Sequence, residues 1–313
     1  MGEQARVTPQ ILVPYPGPDG SGDVHDIFVY LRPETNGVLV ESALLKVVQN
    51  CSQYRSSIRL VYLANFPGQF IVDNHIVERH YAHKFYFAVH GKRVFTRHMI
   101  DEFERHFGVP FATARVIGSF EALQELGESP DQLFTQWVPA ADLLHVDGQS
   151  IKRLADVFVV NYDIPALLHK NTRSTDIAVM LFRCSVDYGY FQKLVDQMRD
   201  ALIENKTLPE RLPASRAFHY SKGPFEQLLD AFDYLRKPAG DAVDLRELSF
   251  VRYAAEHGYT GDQLMSLVRN PVCVFEQSPG DYVEESIFTY TSTDSYPEAI
   301  TKLASLRSQV WIH

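Results

Sequence analysis

Imidazole and carboxylate side chains crowd one stretch of this sequence. Six of the 12 histidines fall between positions 75 and 106. Within it, His75, Glu78, His80 and His83 stand three, two and three residues apart. On a helix His75 would share a face with Glu78, and His80 with His83. Imidazole nitrogens and carboxylate oxygens suit zinc and other borderline divalent metals. A metal so held, with one position open, acidifies water, so the stretch predicts a divalent-metal site and a metal-dependent hydrolase built on it. The spacing departs from the helical zinc motifs. HExxH needs His at i and i+4, HxxEH needs adjacent Glu and His, and here Arg79 separates Glu78 from His80. The plainer expectation is a set of amphipathic imidazoles packing against Tyr and Phe.

Other reactive signatures are absent. The sequence has no GxxxxGK[ST] phosphate loop, no GxGxxG and no GxSxG elbow. Cys184 and Cys273 lie in apolar runs, where a thiol acts as a small hydrophobe. Asp241, Asp244 and Glu247 suit a solvated helix start. The aromatic runs Phe85-Tyr86-Phe87 and Tyr188-Gly189-Tyr190-Phe191 could line a cleft for a planar ligand, though such runs more often fill a core.

A second set of residues invites a family comparison. Arg32-Pro33-Glu34 after a first strand, His80-Tyr81-Ala82, GSFEA at 118–122 and Leu168-His169 occur in an order that resembles nucleoside diphosphate kinases. The resemblance implies a ferredoxin-like sandwich and phosphate transfer through a histidine. His169 would be the nucleophile, Tyr81 would sit near it, and Arg32 would replace a phosphate-contacting lysine. The chain departs from the family where KPD is RPE, where Lys170-Asn171-Thr172 replaces Gly-Ser-Asp after the histidine, and where no Asn stands three residues before it.

Composition narrows the field. Apolar residues make up 45% and charged residues 22% of the 313, ordinary globular usage that excludes disorder over most of the chain. The net charge of −9 repels phosphate backbones, so broad nucleic-acid binding is not expected. Three widely spaced cysteines without CxxC do not make a disulfide framework and fit a reducing compartment. The first residues, Met1 to Arg6, open no signal-peptide core, and Arg6 breaks the myristoylation pattern. No apolar run reaches membrane-spanning length. The expected address is the cytoplasm.

The elements that must position these side chains follow from periodicity. Residues 26–31 (DIFVYL) and 58–63 (IRLVYL) read as strands around a helix carrying Leu39, Ala43 and Val47, a β-α-β unit. Residues 96–107 read as a helix, 109–117 as a strand, and Ser129 with Gln132 as a capping box. Residues 156–162 and 176–182 read as strands, and a helix follows with Phe191, Leu194, Val195, Met198 and Leu202 on one face. Later come helix starts at Thr260 and Ser295, and strands at 271–276 and 286–291 around a Ser-Pro-Gly-Asp turn, with 310–312 closing the sheet. The runs at 26, 176 and 286 each precede a helix, a faint repetition. The fold class is therefore α/β or α+β, with β-α-β units and ferredoxin-like modules expected. The length predicts two domains. A Pro/Gly-rich leader would cover 1–25, a main domain 26–205, and a smaller α+β domain 206–313. The functional expectation is a non-catalytic protein that binds a small molecule or a protein partner. The metal-dependent hydrolase and the nucleotide-binding phosphotransferase stand as alternatives.

Overall fold

The structure is a computed structural model, and it describes residues 7–210 and 214–312. The readings made on residues 1–6, and the part of the expected domain boundary at 211–213, lie outside the described residues. In chain order the strands are β1 Gln10–Val13, β2 His25–Leu31, β3 Ile58–Phe66, β4 Arg115–Gly118, β5 Leu143–Val146 and β6 Gln149–Leu154. There follow β7 Val157–Val160, β8 Ile177–Cys184, β9 Phe218–Tyr220, β10 Val272–Ser278, β11 Asp281–Ser286 and β12 Leu306–Gln309. Helices intervene throughout, so the fold is mixed α and β with several sheets.

The chain packs as two compact units, each assembled from separated stretches. The first runs to Ile76 and takes up Asn171–Met265 and Thr291–Leu303; the second holds Val77–Lys170, Ser266–Tyr290 and the stretch from Ala304. The division does not follow the boundary expected at 206. Strand β9 lies beyond 206 yet hydrogen-bonds to β2, which ties residues 218–220 to the first unit. Nor are residues 1–25 only a leader, because Gln10–Val13 pairs with β3.

The first unit is built on one sheet in the order β1-β3-β8-β2-β9. Every neighbouring pair is antiparallel. Strands β2 and β3 therefore run parallel, joined by the helix Val38–Asn50, but β8 lies between them. The sequence pattern had made β2 and β3 the halves of one β-α-β unit. The missing partner comes from more than a hundred residues downstream, where local periodicity carries no information. The helix Tyr188–Glu204 then connects β8 to β9.

Alternation along the strands sorts side chains onto two covered faces. Ile27, Val29 and Leu31 join Ala178, Met180, Phe182 and Cys184 against Val40, Leu44 and Val48 of one helix and Phe191, Leu194 and Met198 of the other. Cys184 is fully buried there, as a small hydrophobe should be. On the opposite face Tyr30 and Phe66 meet the Tyr234 ring at 4.8 and 5.7 Å, and Tyr62 Oη donates to the Tyr234 carbonyl at 3.1 Å. The same face carries the buried Asp26–Arg183 ion pair.

The second unit contains a four-stranded sheet, β4-β7-β6-β5, and a three-stranded sheet, β11-β10-β12. Strands β4 and β7 are parallel; β5, β6 and β7 form an antiparallel meander. Phe87, Met99, Phe103, Phe111, Val146 and Phe158 share one core cluster, and Ile117, Ala122, Leu133 and Val159 a second. The helix Arg97–Phe107 forms where its apolar spacing predicts, and Thr96 caps it by accepting the Met99 N–H at 3.1 Å. Ser129 and Gln132 make the expected capping box, and the 278–281 turn joins β10 to β11. Residues 287–290 are helical rather than extended. Tyr290 stacks on Phe275 at 4.0 Å and the Ile287 N–H bonds to Pro271 O, contacts that outweigh the strand propensity of an aromatic and β-branched run. Strand β12 ends at Gln309, just before the expected 310–312.

Candidate metal centre

The hairpin β5–β6 turns through Asp147 and Gly148, with φ of 48° and 75°. Two successive positive φ values mark the type I′ form of a two-residue hairpin, and Asp-Gly supplies them at low cost. Gly148 is also needed for space, since a Cβ there would lie 3.1 Å from the Ser286 Cβ at the end of β11. The tip of one hairpin thus abuts the other within the second unit.

At this meeting point three donors converge. His98 comes from the helix Arg97–Phe107, Asp147 from the turn and Glu284 from β11; one ligand atom of each lies within 4.8 Å of the others. Among the described residues this is the one set of three such donors. The His98 Nδ1 stands 3.3 Å from Asp147 Oδ2. Two ligand atoms each about 2.1 Å from a tetrahedral ion are separated by about 3.4 Å, so this edge is already at bonding size. Glu284 Oε1 accepts the Thr96 hydroxyl at 2.7 Å, which links β11 to the cap of the same helix.

Asp147 is the unusual member. It is fully buried, and its Oδ1 has no hydrogen-bond partner. Burial raises its pKa to about 7, against the opposing pull of His98. Burial raises Glu285 as well. A buried carboxylate oxygen without a donor is costly, and a cation is the partner that would complete it. One imidazole nitrogen with two carboxylate oxygens suits zinc, manganese or iron(II).

Behind the turn, a polar network fixes the backbone. Gln149 Nε2 donates to Asp147 O and to His83 Nδ1, both at 3.0 Å. Asn161 Nδ2 donates to Gln149 Oε1 and Lys84 O at 2.8 Å, and its Oδ1 accepts the Ser150 N–H at 3.0 Å. Since the Gln149 amide is the donor, His83 Nδ1 accepts and its proton sits on Nε2. Burial pushes the His83 pKa down to about 4, so this imidazole is neutral.

The histidines singled out from the sequence are placed otherwise. His75 is an exposed turn residue with φ of 50°. Glu78 and His80 lie on the helix Ile76–His80, with His80 buried and its ring 4.8 Å from that of Tyr81. No three of His75, Glu78, His80 and His83 bring their donors together. His169 is exposed on the last turn of the helix Ile164–Lys170, in the second unit with Tyr81, whereas Arg32 belongs to the first. Arg32 Nε donates to Ser215 O at 3.3 Å and its guanidinium lies 5.9 Å from the Tyr30 ring centre.

His98 sits inside the histidine-rich stretch, so the sequence marked the neighbourhood. Asp147 and Glu284 carried no metal spacing, because they are 49 and 186 positions away from it. The Asp-Gly pair that follows Leu143–Val146 is a signal sequence reading could have taken up, as a hairpin turn and not as a ligand. Comparison of the chain with known protein families, with curated proteins and with solved structures finds no match.

Proposed function

We propose that this chain is a non-catalytic divalent-metal-binding protein, with His98, Asp147 and Glu284 as its ligands. The observation that carries the reading is the Asp147 carboxylate, fully buried at a hairpin tip with one oxygen unpartnered and two further donors within 4.8 Å. When bound, the ion would supply the missing charge partner and tie three segments together. The three free cysteines, two of them buried, go with a reducing, cytoplasmic setting. For the first unit we favour the ferredoxin-like plan, on the strength of its β-α-β-β-α-β connections around β8.

The test is metal analysis of gently purified protein, followed by titration of chelated protein with Zn2+ and Mn2+. One ion per chain is expected, with affinity falling at least ~100-fold in Asp147→Asn. Asn-Gly suits the same turn, so that variant keeps the hairpin while removing the charge. Glu284→Gln should weaken binding in the same direction. A wild-type protein that takes up neither ion, or an Asp147→Asn protein that binds as well as wild type, would rule the centre out.

A further inference from the structure

We propose that Glu102, which is not one of the three ligands, sets the affinity of this centre by fixing the tautomer of His98; the inference rests on the metal reading above. His98 and Glu102 are four residues apart on the helix Arg97–Phe107, so their side chains share a face. The two ring nitrogens look in different directions. Nδ1 is 3.3 Å from Asp147 Oδ2, on the side of the proposed ion, and Nε2 is 3.6 Å from Glu102 Oε1.

A neutral imidazole has one N–H and one lone pair. With the proton on Nε2, the N–H faces the Glu102 carboxylate and the Nδ1 lone pair faces the ion. With the proton on Nδ1, that N–H would be spent on Asp147, and the Nε2 lone pair would oppose a carboxylate. Glu102 therefore favours the tautomer that can bind metal. A carboxylate behind a ligating imidazole orients the ring and raises its basicity, commonly worth 10–100-fold in metal affinity.

Glu102 is not committed to His98 alone. Arg105, three residues on, ion-pairs with the same Oε1. At 3.6 Å the His98 contact is longer than a formed hydrogen bond, which needs about 2.7–3.2 Å. Arg105 thus competes for the carboxylate, and an ion drawing His98 toward Asp147 must act against or alongside that competition. This gives the two neighbours opposite signs. Removing Glu102 should weaken the centre, whereas removing Arg105 should free Glu102 for His98.

The experiment compares wild type, Glu102→Gln, Glu102→Ala and Arg105→Ala. Zn2+ affinity is read by chelator competition, and the metal-free proteins are examined by imidazole 15N NMR. Glu102→Ala should lose about 10–100-fold in affinity. Glu102→Gln, whose amide oxygen still accepts the N–H, should fall between it and wild type. Arg105→Ala should bind as tightly as wild type or tighter. In the metal-free proteins the His98 spectrum should show a larger share of the Nε2–H tautomer in wild type than in Glu102→Ala. Affinity within twofold of wild type in Glu102→Ala, or an Arg105→Ala variant weakened alongside it, would overturn the role of Glu102 and leave the metal centre standing. A wild type that binds no Zn2+ would remove both.

Discussion

A carboxylate that is fully buried in a tight turn, without a donor for one oxygen, works against the folded chain unless something binds it. Asp147 is that residue. Its pKa is raised to about 7 by burial, from an unfolded value near 3.8. The folded state thus holds its proton at pH values where the unfolded state has released it. Stability from this group is greatest below the unfolded value and declines as pH rises through the interval up to about 7. At pH 8, with a chelator present, the buried charge is at full cost. Asp147→Asn should then melt at the same temperature as wild type or higher, by scanning calorimetry or circular dichroism, although it loses the metal. A clearly lower melting temperature for the chelated variant would mean that the carboxylate has a stabilising partner of its own. The sequence could not display the burial of Asp147. Asp147-Gly148 reads as a turn from its own residues, but its burial depends on Ser286 and the end of β11.

Between elements, the clearest energetic statement is the cross-strand pair of β2 and β8. Asp26 and Arg183 stand opposite each other in the antiparallel ladder. Arg183 Nε donates to Asp26 Oδ1 at 2.7 Å, and its Nη2 to Asp26 Oδ2 and Gly17 O, each at 2.9 Å. The Ser249 hydroxyl donates to the same carboxylate, and Tyr15 Oη lies 3.4 Å from it. This pair fastens the 15–19 segment, read from its Pro and Gly as a loose leader, onto the sheet. Replacing Arg183 with Leu leaves Asp26 buried without its countercharge, and urea unfolding should register a loss of about 3–5 kcal/mol. The double variant Asp26→Asn, Arg183→Leu should recover a large part of that loss. If the double variant is as unstable as the sum of the single ones, the two side chains are not coupled. The strands themselves were legible, since residues 27–31 and 177–182 are continuous apolar runs and both strands are buried on two faces. Their pairing was not legible, because a period-two pattern states which residues face a core and not which strand lies alongside. The helix starts at Thr96, Ser129, Thr260 and Ser295 were legible for the opposite reason, because a cap is decided within four residues.

At the scale of the whole molecule the chain enters and leaves each unit more than once, which a linear reading of composition could not anticipate. The expected break at 206 falls where proline and charge accumulate, yet it separates β9 from its partner β2. The same discontinuity gathers the three candidate ligands, since residues 98 and 147 reach Glu284 only when the 266–290 stretch joins the second unit. An ion bound there should therefore stabilise a group of segments that are remote in sequence and close in space. Ligand present at 100 times its dissociation constant adds about 2.7 kcal/mol to the state that binds it, equivalent to roughly 100-fold slower exchange for amides that need that state to open. Hydrogen exchange read by mass spectrometry, with Zn2+ and with chelator, should show that slowing in 97–107, 143–150 and 281–286 together. Strands β2 and β8 of the first unit serve as the reference and should slow less. Slowing confined to β2 and β8, or equal everywhere, would place the ion away from His98, Asp147 and Glu284. Slowing in the helix and the turn but not in β11 would take Glu284 out of the ligand set and leave a two-residue site too weak to act as a clasp.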